Sequence, residues 1–310
     1  MRVIVTGASG FLGRNVLLRA PRDWQITALF HTTPGLDAFA AEHGLGNVRA
    51  RRCDLVDPSA VAAVAREVGG RVDAVLYLAA NGDPAASSER PRYDLESNAL
   101  ALVTFLEHCS ADHFVFMSSG AVYDGAIGSV TPATPVSPRL PYAISKLASE
   151  QYIQFFADRG TIGSFVSVRF FGAYGPYEAE RKITTRWLRA MAAGQREFVI
   201  RGDGQNLIDF MYVDDAVAGF LALVQARGAS AIVDFASGAP ATIDAVVRAM
   251  ARVLNVEVAI RHEGVVPEYI QFRSADPTMR ERFGVVPSIE FDDGLRRLHA
   301  FLERKAVVRM

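Results

Sequence analysis

The sequence has little cysteine and no excess of charge of either sign. Its two cysteines, Cys53 and Cys109, stand far apart and outside any metal-ligand spacing, so a disulfide scaffold is excluded and no metal cofactor is expected. The formal net charge is -1, which leaves no basic field to attract nucleic acid or an acidic membrane surface. We therefore expect neither nucleic acid nor a membrane as partner.

Long apolar runs are also missing. No uninterrupted run reaches the roughly 18 residues that span a bilayer. The first residues already have the pattern of a strand that enters a glycine loop, which leaves no room for a signal peptide. These absences predict a cytoplasmic protein whose thiols stay reduced. What is present is a half-hydrophobic chain of 310 residues, 22% of them charged, enough for one or two domains with a sizeable core.

Short apolar runs alternate with helical patterns in residues 1–168. The predicted strands are Val3–Val5, Gln25–Phe30, Val48–Arg52, Asp73–Leu78, His113–Met117 and Ser164–Phe170, and the predicted helices are Gly10–Leu18, Ser59–Val68, Tyr93–His108 and Tyr142–Arg159. This alternation favours an α/β fold of the Rossmann type, a doubly wound parallel sheet that binds its ligand at the carboxyl ends of the strands.

Residues 169–310 have a different pattern of predicted secondary structure, in which helices mix with short strands and proline turns. The predicted helices there are Thr184–Ala193, Ile243–Leu254 and Asp293–Arg304. We predict a smaller C-terminal α+β lobe that binds substrate, with part of 210–236 returning to the first domain. The stretch Thr131–Pro141 carries four prolines and is predicted to be a loop near the site.

A glycine motif follows the first strand and opens the first helix. Gly7, Gly10 and Gly13 have the spacing G-x-x-G-x-x-G. Glycine permits backbone angles that a side chain forbids, and it lets amides approach a pyrophosphate at the positive end of a helix. We therefore predict a dinucleotide site rather than a generic strand-to-helix turn. The residues expected to contact the dinucleotide here are Gly7, Ser9, Gly10, Phe11, Leu12 and Gly13.

Two other strand ends are predicted to border the same cofactor. Asp54, followed by Leu55, ends the third strand and is placed to accept a hydrogen bond from an adenine amino group, although a helix cap is the alternative for an aspartate there. Leu78, Ala79 and Ala80 end the fourth strand, where small residues let the backbone run against the cofactor.

A tyrosine and a lysine share one helix face. Tyr142 and Lys146 are four residues apart. The ordinary pKa of tyrosine, about 10, makes it a poor acid-base catalyst at neutral pH, but a neighbouring ammonium lowers that pKa. Ser119, at the end of the fifth strand, is placed to hold a substrate oxygen. The set predicts proton exchange by Tyr142 while hydride moves to or from a nicotinamide.

With these residues the chain resembles the extended short-chain dehydrogenase/reductase family, in its NAD-dependent epimerase/dehydratase branch. The matching landmarks are Thr6–Gly13, Asp54, Leu78–Ala80, Asn98, Ser118-Ser119, Val122-Tyr123, Tyr142 with Lys146, Arg169, Tyr174–Pro176, Gly202–Gly204 and Asp209–Asp215. The resemblance covers nearly the whole chain. It implies NAD or NADP as cofactor and a small-molecule substrate, usually a nucleotide-linked sugar.

The resemblance also assigns further contacts. The cofactor contacts it adds are Asn98, Ser118 and Phe171, and the substrate contacts are Asn81, Ser119, Ala121, Gly172 and Ile208. It further implies a homodimer, in which the helices around Asn98–His108 and Tyr142–Phe156 form a four-helix interface.

Departures from the family pattern narrow the reaction. Gly120-Ala121 replaces the Asp-Glu pair with which dehydratases of this family expel water. Cys109 lies at the far end of its helix, and no histidine occurs between His113 and His262, so the Cys/His pair used beside a ketone is missing. Our leading hypothesis is an epimerase that removes hydride from a carbinol carbon and returns it to the opposite face. A net ketone reductase or dehydrogenase stays open, and the Tyr/Lys pair disfavours a non-catalytic dinucleotide sensor.

The segment after the second strand bears on the choice between NAD and NADP. NAD-selective members place a carboxylate there to hold the ribose hydroxyls, and Phe30 is followed by His31, Thr32 and Thr33 instead. These side chains and Arg14 can donate to a 2′-phosphate. The segment favours NADP, with NAD the open alternative if Phe30 only packs on the adenine.

Three positions that hold a diphosphate in nucleotide-sugar enzymes of the family are altered. Gly172 stands in place of an asparagine, Ile208 in place of an arginine, and Val265 or Val266 in place of a second arginine. Losing two guanidiniums removes charge-assisted bonds worth about 1.5–3 kcal/mol each. We expect either a substrate without a diphosphate or an altered clamp. Residues that could form that clamp, or could be ordinary surface charge, are Arg181, Lys182, Arg186, Arg261 and Arg273.

Overall fold

The protein, as a computed structural model, is described over residues 1–228, 230–265 and 270–308. Its strands are β1 Arg2–Thr6, β2 Gln25–Phe30, β3 Val48–Arg52, β4 Arg71–Tyr77, β5 Ser110–Ser119, β6 Ile127–Val130, β7 Ile162–Phe170, β8 Ala173–Tyr174, β9 Glu197–Arg201, β10 Leu207–Ile208, β11 Met211–Tyr212, β12 Ala231–Phe235, β13 Ala241–Thr242, β14 Ala259–Glu263 and β15 Gln271–Ser274. Its α-helices are α1 Phe11–Arg19, α2 Leu36–Glu42, α3 Pro58–Val68, α4 Pro84–Glu89, α5 Pro91–Leu95, α6 Ala101–His108, α7 Pro141–Asp158, α8 Ile183–Ala192, α9 Val213–Gln225, α10 Ile243–Leu254, α11 Thr278–Glu281 and α12 Phe291–Val308.

The central sheet has seven parallel strands in the order β12-β7-β5-β4-β1-β2-β3. The chain starts in the middle, runs outward to β3, and then returns to β4 on the other side of β1. This reversal opens a crevice at the carboxyl ends of β1 and β4, where ligands of doubly wound sheets bind. The predicted fold class is confirmed.

Strand alternation divides the buried side chains between the two faces of the sheet. Val3 and Val5 of β1 pack into a core that includes Val16 of α1 and Phe220 of α9. Ile4, between them in sequence, packs into a second core with residues of α3, α6 and α7. The sheet is therefore buried on both sides, as parallel sheets require.

Each predicted strand of the first half is present in the sheet, and one predicted helix is interrupted. The predicted helix Tyr93–His108 begins two residues earlier, because Pro91 fits the first turn of α5. A π-helical turn, Glu96–Leu100, then separates α5 from α6. A second short irregular element, the 3-10 turn Gly120–Tyr123, follows β5.

Several elements were not predicted with bounds, among them α2, α4, α9 and β12. The longest, α9, carries Gly219 at its centre, which helix propensity disfavours. A Cβ on Gly219 would lie 2.4 Å from the ring of Phe235, so the glycine lets α9 pack directly on the neighbouring strand β12. Both elements belong to the 210–236 segment. The domain division at residue 168 stays a prediction.

Candidate active site

The glycine loop lies at the carboxyl end of β1, against the end of β4. Gly7 has φ +65°, and a Cβ on it would lie 2.9 Å from the Ala79 nitrogen. A Cβ on Gly13 would lie 2.4 Å from the Gly7 carbonyl oxygen. Gly10 is the N-cap of α1 and has no side chain to cap it, so the amides of the first turn are free to bind an anion. The loop therefore fits a dinucleotide pyrophosphate.

Thr6 joins this loop to the end of β4. Its Oγ1 accepts hydrogen bonds of 3.0 Å from the amides of both Leu78 and Ala79. Leu78 is buried, while Ala79 and Ala80 are half-buried beside the loop. The backbone after β4 is thus held close to the glycine loop, as the small residues there predicted.

The predicted adenine contact, Asp54, is half-exposed and makes local bonds. Its Oδ1 accepts from the Val56 amide at 3.0 Å, and its Oδ2 lies 3.6 Å from Nε2 of His31. The alternative that Asp54 caps the next helix is wrong. Asp57 is the N-cap of α3 and accepts from the Ser59 amide at 2.8 Å, which leaves Asp54 at the strand end.

Arg14 is held beside the glycine loop. Its Nε donates to the Ser9 carbonyl at 3.0 Å. Its guanidinium lies over the rings of Phe39 and Tyr177, 4.9 and 5.7 Å from their centroids. Within the described ranges, the Ser9 carbonyl is the one group that accepts a hydrogen bond from Arg14. Its terminal amines are therefore open to an added anion.

Tyr142 and Lys146 lie on the first turns of α7, which begins at Pro141. Lys146 is almost fully buried. Its Nζ lies 6.0 Å from the Tyr142 ring centroid and donates to the Met117 carbonyl at 2.8 Å. Burial lowers the pKa of Lys146 to about 8, against the opposing charges of Asp94 and Glu150.

Burial raises the pKa of Tyr142, while a hydrogen bond with the Ser119 side chain acts in the opposite direction. Ser119 also accepts a hydrogen bond from the Ala121 amide at 3.1 Å. The structure thus brings the three predicted catalytic side chains together at the carboxyl end of β5. The phenol needs added positive charge before it ionises near neutral pH.

Two predicted cofactor contacts, Asn98 and Ser118, turn their side chains into the protein. Asn98 is buried and donates to Asp94 and Ser145, each at 3.0 Å. Ser118 is buried and donates to Glu150 at 2.5 Å. These bonds assign both side chains a structural position, and their contact with the cofactor stays a prediction.

Asp94 and Ser145 are site residues that the sequence analysis missed. Asp94 is fully buried and accepts from Asn81, Asn98 and Ser145. The Ser145 hydroxyl also lies 3.0 Å from the Tyr142 carbonyl oxygen. The only sequence signals are the i, i+4 spacing of Asp94 with Asn98 and the position of Ser145 between Tyr142 and Lys146.

The substrate side is filled by apolar groups. Gly172 has φ +151°, and a Cβ on it would lie 2.6 Å from the Phe210 ring, so Phe210 occupies the place of a side chain there. The Phe171 ring lies against Gly120, where a Cβ would be 3.1 Å away. Ile208 is half-buried on β10, paired with Ala241 of β13. Val265 is exposed, and Val266 lies outside the described residues.

The five candidate clamp cations have different surroundings. Arg181 lies 3.4 Å from Asp83, and Lys182 donates to the Gly82 carbonyl at 3.4 Å. Both therefore reach the loop after β4. Arg261 is paired with Glu197 and Glu263. The remaining two, Arg186 and Arg273, are both exposed.

Two features are absent from the described ranges. No group of three or more His, Cys, Asp and Glu side chains there is arranged to hold a metal ion. No helix there is long and apolar enough to cross a membrane.

Comparisons with known proteins agree with this geometry. Residues 3–234 match the model of the NAD dependent epimerase/dehydratase family. A UDP-glucose 4-epimerase of Azospirillum brasilense is 31% identical over 98% of this chain and 92% of its own. A dTDP-glucose 4,6-dehydratase of Streptomyces griseus is 30% identical over 94% of this chain and 91% of its own. The solved structure of MoeE5 in complex with UDP-glucose and NAD is 25% identical, with a TM-score of 0.86 over 99% of this chain and all of that one. The chain belongs to the NAD-dependent epimerase/dehydratase family.

Proposed function

We propose that the protein is an NAD(P)-dependent epimerase that inverts a carbinol carbon of a sugar or a sugar-like substrate. The observation that carries this proposal is the convergence of Tyr142, Lys146 and Ser119 at one strand end, together with a glycine loop in which Gly7 and Gly13 lie too close to backbone for a Cβ. A bound nicotinamide supplies the acceptor and donor of hydride in such a reaction.

Each side chain has a distinct task in this proposal. Tyr142 takes the proton of the carbinol hydroxyl and later returns it. Ser119 hydrogen-bonds the same substrate oxygen and aligns it with the phenol. Lys146 stabilises the phenolate by its charge, 6.0 Å from the ring centroid. The task of Lys146 requires it to be protonated.

The residues after Ser119 support epimerisation over dehydration. Gly120 and Ala121 offer no carboxylate to expel water. A larger side chain at Gly120 would press on the Phe171 ring, since a Cβ would already lie 3.1 Å from it. A carboxylate side chain at this position would therefore require the Phe171 ring to shift.

The substrate is the less defined part of the proposal. Relatives include a UDP-glucose 4-epimerase, and MoeE5 binds UDP-glucose. In this chain the positions of the diphosphate clamp carry Gly172, under Phe210, and Ile208. We infer a substrate without a diphosphate, or a nucleotide sugar held in an altered way by Arg181 and Lys182, which reach the loop after β4.

The preferred cofactor is proposed to be NADP, with NAD accepted. The support is Arg14, whose guanidinium is fixed beside Ser9 and keeps open donors, and the lack of a carboxylate after Phe30. Calorimetric titration of both cofactors tests this. NADP should bind about tenfold more tightly, and Arg14→Met should abolish the preference. A wild-type preference for NAD refutes it.

A homodimer is also proposed. Large apolar side chains on α5, the π turn and α7 are exposed. These elements lie in or next to the helices expected at the interface. These side chains are Tyr93, Leu95, Leu100, Ile144, Tyr152 and Phe155. A second copy of the chain is the partner that would cover them. Sedimentation equilibrium should give a dimer that Leu95→Glu converts to a monomer, and a wild-type monomer contradicts the proposal.

The reaction is tested with the purified protein and a panel of sugars, sugar phosphates and nucleotide sugars. An epimerase forms the inverted isomer with no net change in absorbance at about 340 nm, where reduced nicotinamide absorbs. A net reductase consumes reduced cofactor stoichiometrically. Isomer formation that Tyr142→Phe abolishes supports the proposal, and stoichiometric consumption without isomer formation overturns it in favour of the reductase.

A further inference from the structure

Four ionisable side chains are almost fully buried around helix α7. They are Asp94, Lys146, Glu150 and Arg169, each no more than 3% exposed. Glu150 and Arg169 form a two-pronged pair, with nitrogen–oxygen distances of 2.9 and 3.2 Å. This pair balances its own charge, so the other two residues remain to be accounted for.

Asp94 is surrounded by neutral donors. Its Oδ1 accepts from Asn81 at 2.9 Å and from Asn98 at 3.0 Å, and its Oδ2 accepts from Ser145 at 2.6 Å. Carboxyl oxygens are good acceptors for such amide and hydroxyl donors. In the described part of the chain, Lys146 in turn donates to a neutral carbonyl, that of Met117. Asp94 thus bonds the residue next to Lys146, and its charge favours the protonated form of that lysine against burial.

The Asp94 carboxyl group is also hydrogen-bonded to helix α7. Ser145 lies between Tyr142 and Lys146, and its hydroxyl contacts both Asp94 and the Tyr142 carbonyl oxygen. The Tyr142 amide also donates to Ser87, a buried residue of α4, at 3.2 Å. The first turn of α7 is thus fixed from the α4–α5 side.

We propose that Asp94 is a positioning residue that keeps the buried Lys146 protonated and, through Ser145, fixes the first turn of α7. Its consequence for turnover rests on the proposed function. Its effect on Lys146 does not, and it is measured without a substrate.

The charged surroundings of Lys146 set the direction of the effect. Tyr142 and Glu150 face it from its own helix, Asp94 faces it from α5, and the strand β5 contributes the Met117 carbonyl and the Phe116 ring. Because Arg169 neutralises Glu150, removal of Asp94 deletes the main unbalanced anion. A cation that loses such a neighbour releases its proton more readily.

The chain has three lysines, Lys146, Lys182 and Lys305, so the titration is accessible to NMR. Protein labelled with ¹³C at lysine Cε should show three signals, which Lys182→Arg and Lys305→Arg assign. The wild-type Lys146 signal should titrate near pH 8. In Asp94→Asn it should titrate about one unit lower, a roughly tenfold loss of proton affinity.

Matched variants separate charge from structure. Asp94→Glu retains the charge and should retain the wild-type pKa of Lys146. Glu96→Gln removes an exposed carboxylate that pairs with Arg92 and should leave that pKa unchanged. Asp94→Ser is a smaller neutral variant with the same predicted shift as Asp94→Asn, for use if the latter does not fold.

An unchanged Lys146 pKa in the neutral variants overturns the inference. A shift together with full turnover by Tyr142→Phe supports the inference and refutes the proposed function instead. Both outcomes are read from separate samples, so the two failures cannot be confused.

Discussion

The two sides of the candidate cleft differ in what occupies the family's recognition positions. On the cofactor side, Gly7 and Gly13 leave less than 3 Å between a would-be Cβ and backbone atoms, so a side chain at either position would force the backbone to shift. On the substrate side, Gly172 faces the Phe210 ring, and Ile208 stands where a guanidinium would be. The cofactor side has the close backbone contacts that a glycine loop requires, and the substrate side carries apolar groups at positions where the family resemblance implies polar ones.

This difference separates chemistry from recognition. The groups proposed to carry the chemistry, Tyr142 and Lys146, lie on a helix turn that a buried hydrogen-bond network holds. On the substrate side, Gly172 and Ile208 stand at two positions where the family resemblance implies diphosphate contacts. A family fold can therefore retain one reaction while its substrate range changes, because the two tasks are carried by different elements.

The largest expected effect is the loss of turnover in Tyr142→Phe. The ring packs unchanged while the titrating hydroxyl is lost, so turnover should fall about a thousandfold or more, with cofactor affinity nearly intact. Tyr152→Phe is the matched control, on the exposed face of the same helix. Rate and cofactor affinity are measured together. A Tyr142→Phe enzyme that keeps more than a few per cent of the wild-type rate removes Tyr142 from the acid-base role.

The tight fit of the glycine loop is tested by Gly13→Ala. The added Cβ would lie 2.4 Å from the Gly7 carbonyl oxygen, so the free energy of unfolding should fall by about 3 kcal/mol, and dinucleotide binding should be lost. Gly46→Ala is the control, since nothing lies within 4 Å of a Cβ there. Urea unfolding of both variants decides, and equal stabilities would show that the loop adapts.

Burial of Lys146 predicts a pH dependence of stability. Its pKa falls from an ordinary 10.5 to about 8 in the folded protein. Between these values the unfolded chain binds more protons, so the folded state gains stability as the pH rises from about 8 to about 10.5. Relative to Lys146→Met, the wild type should gain roughly 3 kcal/mol over that window.

Urea unfolding at about pH 7 and about pH 10 measures this gain. Lys305→Met, at an exposed lysine, is the control and should show no comparable change. A difference between wild type and Lys146→Met that does not vary with pH contradicts the predicted pKa.

The smallest effect concerns the substrate side. Ile208→Arg restores one guanidinium and should tighten binding of a nucleoside diphosphate by about tenfold. Leu207→Arg, whose side chain leaves the opposite face of the same short strand, should have no such effect. Calorimetry with UDP measures both. If Ile208→Arg does not bind UDP more tightly than wild type, the missing arginine is not what weakens the clamp.

The sequence predicts some strands of the fold and not others, for physical reasons. The strands β2 and β3 were predicted with their observed bounds, because period-two runs and glycine punctuation are local signals. The strands β10 and β13 have two residues each and pair over more than thirty positions of sequence. No periodicity exists in two residues, so such pairing becomes visible only in the fold.

The site shows the same limit. Tyr142 and Lys146 were found because i and i+4 on one helix are neighbours by geometry. Asp94 was missed because its bond to Ser145 joins residues 51 positions apart. The π turn Glu96–Leu100, which separates α5 from α6 just after Asp94, also has no recognisable pattern in the sequence. Local spacing identified the reacting groups, and tertiary contact was needed to find what supports them.

The central claim, an intact cofactor side beside a substrate side without the usual diphosphate clamp, is tested most directly by one calorimetric series. The protein is titrated with NADP and NAD, and the cofactor-loaded protein is then titrated with UDP, dTDP, GDP and CDP. We predict micromolar or tighter binding of a dinucleotide and no micromolar binding of the four diphosphates. Micromolar affinity for any of them, with the diphosphate seen beside Gly172 and Ile208, would contradict the account.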